Sequence, residues 1–285
     1  MAVVGAIAFS GKAIIVKLAY RYGVDAVTVI MLRMLFALPF FAGMAWWASR
    51  GKPPLSRADW WGVIGLGFSG YYLASFLDFA GLQYISASLE RLILYLNPTL
   101  VLLLGWLLYR NPVGGRQMAG MAVSYTGVVL VFGQEIRLEG ANVALGALLV
   151  LVSAISYAVY LVYSGRMVQR IGSLRLVGLA TTVACILCIA QFLLLRPVAT
   201  AFDVAPPVIW LSVLNAIACT AVPVLLVMMA IERIGPAMAA QTGMIGPMST
   251  IMMGVLILGE PFTPGIAAGT LLVIAGIFVF SRARA

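Results

Sequence analysis

Apolar residues fill this chain in long unbroken stretches, and polar residues collect in short clusters between them. Reading from one cluster of charges and turn residues to the next predicts ten helices. They lie at about 3–20, 27–48, 60–78, 84–108, 115–133, 144–165, 175–196, 207–229, 234–258 and 264–281. Each is close to or beyond the roughly 20 residues that carry a helix across a ~30 Å hydrocarbon core. The linkers are short and rich in helix breakers, as in Arg50-Gly51-Lys52-Pro53-Pro54, Asn111-Pro112-Val113-Gly114-Gly115 and Gly259-Glu260-Pro261. They leave no room for a soluble domain. In lipid every backbone N–H and C=O must be bonded within the protein, which a helix achieves by itself. A β-barrel would show short alternating segments, and these stretches are continuously apolar. The fold class is therefore an all-α membrane protein with ten transmembrane helices.

Composition agrees: 63% of the 285 residues are hydrophobic and 9% charged, against about 25% charged in a typical soluble domain. The net charge of +9 raises the question of nucleic acid. However, the basic residues stand singly or in twos and threes between apolar stretches, with no basic patch interleaved with aromatics, so no nucleic-acid partner is expected. Their placement instead sets an orientation, because lysine and arginine accumulate on the cytoplasmic side. With the N-terminus inside, eleven fall in inside loops: Arg50, Lys52, Arg57, Arg110, Arg116, Arg166, Arg170, Arg175, Arg233, Arg282 and Arg284. Four fall outside, namely Lys17, Arg21, Arg137 and Arg196. Asp25, Asp78, Glu135, Glu139, Asp203 and Glu260 lie on or near the outer side. Ten spans with both termini cytoplasmic keep this alternation, and nine or eleven would lose it. Met1 to Phe9 lacks a basic leader, so no cleavable signal peptide is expected. The expected location is a bacterial inner membrane, crossed many times.

The chain also resembles itself. Shifted by 149 positions, residues 81–131 lie without a gap over 230–280. Ile85 then meets Ile234, Pro98 meets Pro247, Gly105 meets Gly254, Leu107 meets Leu256, Pro112 meets Pro261, Gly120 meets Gly269 and Gly127 meets Gly276. Proline and glycine dictate backbone geometry, so their coincidence carries more weight than matched leucines. Two five-helix units follow, residues 1–133 and 142–282. An odd number of helices per unit makes the second enter the membrane in the opposite sense. In transporters, inverted repeats of this kind place the substrate between the halves near the midplane.

The chain resembles the drug/metabolite transporter superfamily, in its ten-helix EamA-type branch. The resemblance is carried by Tyr95-Leu96-Asn97-Pro98-Thr99 with Gly105 and Arg110-Asn111-Pro112. Their counterparts are Ile245-Gly246-Pro247 and Leu258-Gly259-Glu260-Pro261, and Arg33 in Met31-Leu32-Arg33-Met34 adds to it. It implies a transporter of small metabolites, with bacterial exporters of amino acids, aromatic ones among them, as similar proteins. Phe9-Ser10-Gly11-Lys12 departs from the pattern, because many relatives have a Trp-Gly pair there followed by a small polar residue.

Ionisable residues within spans are expensive and mark functional sites. Lys12 lies near mid-depth and could meet a substrate carboxylate. Arg33, about six residues or ~9 Å into the second stretch, is at a depth similar to Glu90, which predicts an Arg33–Glu90 ion pair. A cavity is expected from Lys12, Tyr72, Ser75, Phe76, Phe79, Ser88, Tyr95, Asn97, Ser153, Tyr157, Tyr160, Asn215 and Gln241. Such a lining suits a partly apolar zwitterion. Pro98 and Pro247, each removing a backbone donor in mid-helix, are the expected gating kinks. Tyr20, Trp46, Trp60, Trp61 and Trp210 are expected at the membrane interfaces. Gly115/Ala119, Gly120/Ser124, Ala239/Gly243 and Gly265/Gly269 are expected packing seams.

Competing functions are weaker on sequence. A pump for lipophilic cations would want a carboxylate in the first helix, where Lys12 stands. The chain has no histidine, the commonest general base, nor any Gly-x-Ser-x-Gly, which argues against a membrane enzyme. Channel or scaffold roles stay open. No Walker A sequence is present. Cys185 and Cys188 have CxxC spacing but no second pair, and zinc sites need four ligands. No metal or cofactor is expected. The expected partners are a small-molecule substrate and the lipid bilayer, with a monomer as the unit.

Overall fold

The computed structural model describes residues 2–110, 114–139, 142–226, 229 and 246–282. These residues are helical apart from short linkers, with no strand among them. We label the helices in chain order. The first are α1 (Ala2–Tyr20), α2 (Ala26–Ser49), α3 (Arg57–Leu82), α4 (Ala87–Leu108) and α5 (Gly115–Glu139). Then come α6 (Asn142–Ile171), α7 (Ser173–Leu195) and α8 (Pro206–Leu226). After these, α9 (Gly246–Met253) continues as a π-helical turn (Gly254–Leu258), and α10 is Pro264–Arg282. Among the described residues, seven helices, α2 to α8, are long and apolar enough to cross a membrane. Two shorter apolar stretches, Met248–Leu258 and Pro264–Val279, accompany them. Most of the first half of the expected ninth helix, with Gln241 and the Ala239/Gly243 pair, lies outside the described residues.

Local signals set the helix ends. The Thr28 N–H donates to Asp25 Oδ1 at 2.7 Å, capping α2, and Ser56 with Asp59 forms a capping box at the start of α3. Ser86 Oγ accepts from the Leu89 N–H at 3.0 Å, so α4 starts three residues later than the apolar pattern suggests. α6 runs six residues past its predicted end, because Met167 and Val168 still find apolar neighbours in a cluster with Leu66, Leu176 and Ala180. Left-handed residues follow the second part of α4 and α9: Arg110 at φ 54° and Gly259 at φ 75°. These two positions are related by the 149-residue shift.

Three helices depart from α geometry inside their length. α3 has a π-helical stretch at Gly67–Leu73, and α8 has one at Ile217–Ala221. α4 is interrupted at Tyr95 and Leu96, after which Asn97 and Pro98 open a new helical segment. Proline suits a first turn, where its missing N–H would be unpaired anyway. Pro247 holds the same place in α9, second in its segment.

Buried apolar side chains form two large clusters, each drawing on both halves of the sequence. One joins α1, α2 and the end of α3 to α7 and α8, around Met34, Phe41, Phe79 and Phe192. The other joins α4, α5 and α6 to α9 and α10, around Leu89, Leu96, Val131 and Val150. α5 and α10 cross antiparallel along a glycine seam. A Cβ on Gly127 would strike the Gly269 carbonyl, and one on Gly276 would strike the carbonyl of Gly120. Gly120/Ser124 and Gly265/Gly269 therefore face this seam, whereas a Cβ on Gly115 would meet nothing within 4 Å. Trp46, Trp60, Trp61 and Trp210 are exposed on the outside of the bundle. Tyr20 turns inward instead and donates to the Phe79 carbonyl at 2.6 Å.

Candidate functional site

A cavity of about 280 Å³ lies inside the bundle, walled by α1, α2, α3, α4, α6, α7 and α8. Its polar wall contains Lys12, Arg33, Ser75, Asp78, Arg91, Tyr95, Asn97, Ser153, Tyr157, Thr181 and Thr220. Phe9, Met34, Phe41, Tyr71, Leu94 and Val224 complete it with apolar and aromatic surface. The irregular backbone helps to shape this wall. Gly70, inside the π-helical stretch of α3, lets the Tyr160 ring approach its backbone closely, since a Cβ there would collide with that ring. The Tyr71 and Tyr160 hydroxyls then meet at 3.1 Å, and Tyr157 stacks on Tyr160 with centroids 5.5 Å apart.

Five buried charges gather at one end of the cavity. Lys12 Nζ lies 2.5 Å from Asp78 Oδ2 and 3.9 Å from Glu90 Oε1. Arg91 Nε lies 3.8 Å from Glu90 Oε2. The Arg33 guanidinium sits 4.8 Å above the Phe79 ring, and its Nη2 reaches Ser75 Oγ at 3.4 Å. All five are buried, Glu90 completely. Three basic and two acidic side chains therefore meet in a region where charge is costly to hold.

The predicted Arg33–Glu90 pair is not formed. Similar depth along two helices does not fix rotation about their axes. Arg33 turns onto Phe79, and Glu90 is shared by Lys12 and Arg91.

Of the predicted lining, Lys12, Ser75, Tyr95, Asn97, Ser153 and Tyr157 reach the cavity wall. Ser153 also donates to the Ala74 carbonyl at 2.6 Å, tying α6 to α3. The other described candidates stand behind the wall or away from it. Tyr72 and Phe76 pack against the first apolar cluster. Phe79 lies beneath Arg33, and Tyr160 backs Tyr71 and Tyr157. Asn215 reaches the Lys12 carbonyl from α8 at 3.4 Å. Ser88 lies at the start of α4 in a different set of contacts, described next. Tyr71 and Thr220, polar residues of the same helices, join the wall, and Phe41, Arg91 and Thr181 enter it without a signal in the sequence.

The molecule is closed at the end where α1 finishes. Lys17 Nζ donates to the Ile85 carbonyl at 2.8 Å, and Arg21 Nη2 donates to the Leu258 carbonyl at 2.6 Å. The Ala87 N–H donates to Glu260 Oε1 at 2.7 Å, and Ser88 Oγ donates to Glu260 Oε2 at 2.7 Å. Ser86, through its N–H and its hydroxyl, donates to Glu135. Two carboxylates thus hold the start of α4, where the helix dipole favours negative charge. From Lys12, Asp78 and Arg91 the cavity wall runs away from this closed end, toward Phe9, Gly70, Asn97 and Val224.

Comparison with known proteins agrees with this architecture. The profile of the EamA-like transporter family matches residues 1–133 and 144–282. The Bacillus subtilis (strain 168) protein YcbK, described as an uncharacterized transporter, is 32% identical over 275 residues, covering 90% of this chain and 84% of its own. YetK of the same organism, described in the same words, is 22% identical and covers 98% of this chain and 83% of its own. A solved crystal structure shares the fold at a TM-score of 0.64 and 19% identity, covering 98% of this chain and 95% of its own.

Proposed function

Because this chain belongs to the EamA-like transporter family, we propose that it is a secondary transporter that exports small metabolites, namely amino acids with aromatic ones among them, by alternating access. The observation that carries this reading is the cavity itself. It is buried, charged at one end and aromatic along its wall, and it is assembled from helices of both halves. An amino acid presents a carboxylate, an ammonium group and a side chain, and this lining offers a counterpart for each. A pump for lipophilic cations fits less well, because Lys12, Arg33 and Arg91 all stand on the cavity wall and Asp78 is the one acidic residue beside them.

The seam between α5 and α10 supports two inverted repeats of five helices. Gly120 approaches Gly276, and Gly127 approaches Gly269. The 149-residue shift converts each of these contacts into the other, as a two-fold axis between the halves requires. The π-helical stretches in α3 and α8 and the left-handed residues Arg110 and Gly259 are further matched features. Such an axis lies in the membrane plane when the halves are inverted.

The basic loops favour cytoplasmic termini in a bacterial inner membrane. In that orientation the latched end faces outward and the cavity extends toward the cytoplasm, the side from which an exporter loads. Uptake of labelled amino acids by purified protein in liposomes, with a pH gradient present or absent, tests the proposal. Saturable, competable flux of one class supports it, and no flux for any amino acid rules out the substrate assignment.

A further inference from the structure

Each buried cation of the cavity can be asked what neutralises it. Lys12 has an answer in Asp78 at 2.5 Å, with Glu90 next at 3.9 Å. Arg33 has the Phe79 ring and the Ser75 hydroxyl. Arg33 keeps one unbonded nitrogen, its Nε, and Arg91 keeps two. Arg91 is 94% buried, since only 6% is exposed, and it lies on the cavity wall. Its ion pair among the described residues is the 3.8 Å approach to Glu90, a carboxylate it shares with Lys12. Its Nε and Nη2 make no hydrogen bond among the described residues. Those two nitrogens form one edge of the guanidinium, the fork that matches a carboxylate with two parallel bonds.

On the same wall, Asp78 Oδ1 and Asn97 Oδ1 also lack hydrogen-bond partners among the described residues. Unpaired donors and unpaired acceptors thus line one small cavity. Buried polar groups are nearly always bonded to protein, to water or to a bound group. The arrangement also has no echo in the other half, because the 149-residue shift sets Ala239 and Ala240 against Glu90 and Arg91. It is therefore not a part of the repeated frame.

Resting on the transporter reading, we propose that the cavity binds a zwitterion in a fixed sense. Its carboxylate docks on the Nε–Nη2 edge of Arg91, and its ammonium group donates to Asp78 Oδ1. Lys12 is a positioning residue that holds Asp78 and Glu90 in place, rather than the group that receives the carboxylate. Asp78 thereby selects for zwitterions over plain carboxylates, and Arg91 selects against amines.

The test uses the purified full chain and reads two things: ligand-induced thermal stabilisation in detergent and flux in liposomes. The probes are amino acids of the panel, the amide of each, which lacks the carboxylate, and the deaminated acid of each, which lacks the ammonium group. In the wild type the parent amino acid is expected to bind at least about tenfold tighter than its amide. Arg91→Gln and Arg91→Lys are both expected to weaken parent binding by about ten- to a hundredfold, the range for one lost charge-assisted contact. In Arg91→Gln the amide and the parent should bind alike. Arg91→Lys keeps the charge and guards against a misfolded variant.

Wild-type affinity in both Arg91 variants, or an amide that binds the wild type as well as its parent, would overturn the docking assignment. A deaminated acid that binds as well as the parent would overturn the role given to Asp78. Arg91-dependent binding without any flux would leave this inference standing and remove the transporter reading beneath it.

Discussion

Replacing Lys12 by methionine removes the cation from the most tightly paired charges among the described residues. Its Nζ lies 2.5 Å from Asp78 and 3.9 Å from Glu90, and both carboxylates are buried. At an effective dielectric constant of about 20, attraction at those distances is about 7 and about 4 kcal/mol. Desolvation opposes most of this, and breaking a buried pair from one side typically costs about 3–5 kcal/mol. Lys12→Met and Asp78→Asn should each destabilise the protein on that scale. The double variant Lys12→Met/Asp78→Asn should recover most of the loss, because neither charge is then stranded. The ratio of the two distances predicts a smaller recovery when Lys12→Met is combined with Glu90→Gln. Denaturant or thermal unfolding of the purified protein in one detergent gives all the values as a double-mutant cycle. Strict additivity of Lys12→Met and Asp78→Asn, or a larger coupling with Glu90 than with Asp78, would refute the assignment of Asp78 as the principal partner.

Other expectations follow from the same structure. Gly127→Val pushes a side chain against Leu272, Val273 and the Gly269 carbonyl, so it should cost about 1–3 kcal/mol as overpacking does; Gly115→Ala, with open space around it, should be neutral or stabilising by up to about 1 kcal/mol in the same melt. Glu260→Gln weakens the hold on Ala87 and Ser88, and maleimide labelling of a Gln83→Cys reporter from the latched side should rise several-fold; an unchanged rate would show that Glu260 does not fasten the closed end. Burial acts upward on the Asp25 carboxyl in the loop before α2, but the Thr28 N–H and Arg196 outweigh it and hold it below the usual carboxylate range. Its small, solvent-screened contribution is then fully present above the ordinary carboxylate pKa near 3.9 and is lost as pH falls through the lower folded value, so Asp25→Asn should flatten the acid limb of a plot of melting temperature against pH.

Much of the frame could be read from residue order alone, because lipid demands apolar stretches and breakers punctuate them. What the sequence could not supply was rotation about each helix. Glu90 and Arg91 are adjacent, and depth alone could not tell which would face the cavity; the glutamate lies behind the wall and the arginine on it. In α3 the same limit applies: Tyr71, Ser75 and Asp78, at i, i+4 and i+7, line the cavity, while Tyr72 and Phe76 face the first apolar cluster. Tyr157 and Tyr160 do share a face of α6 as their spacing implies, yet only Tyr157 reaches the cavity because Gly70 lets the Tyr160 ring pack behind it. Ser88 looked like lining because it is polar and near the membrane interior. Its partner Glu260 lies 172 positions away, a contact that no local pattern encodes.

A carrier of the proposed kind opens one cavity to alternate sides of the membrane, and solute counterflow distinguishes it from a pore. Liposomes containing the protein are preloaded with an unlabelled amino acid and diluted into a trace of the labelled one. A carrier gives transient accumulation of label above its equilibrium level, at a rate that rises and saturates with internal solute. Uptake that is indifferent to the internal solute, or that never saturates, would contradict it and would indicate an open pore.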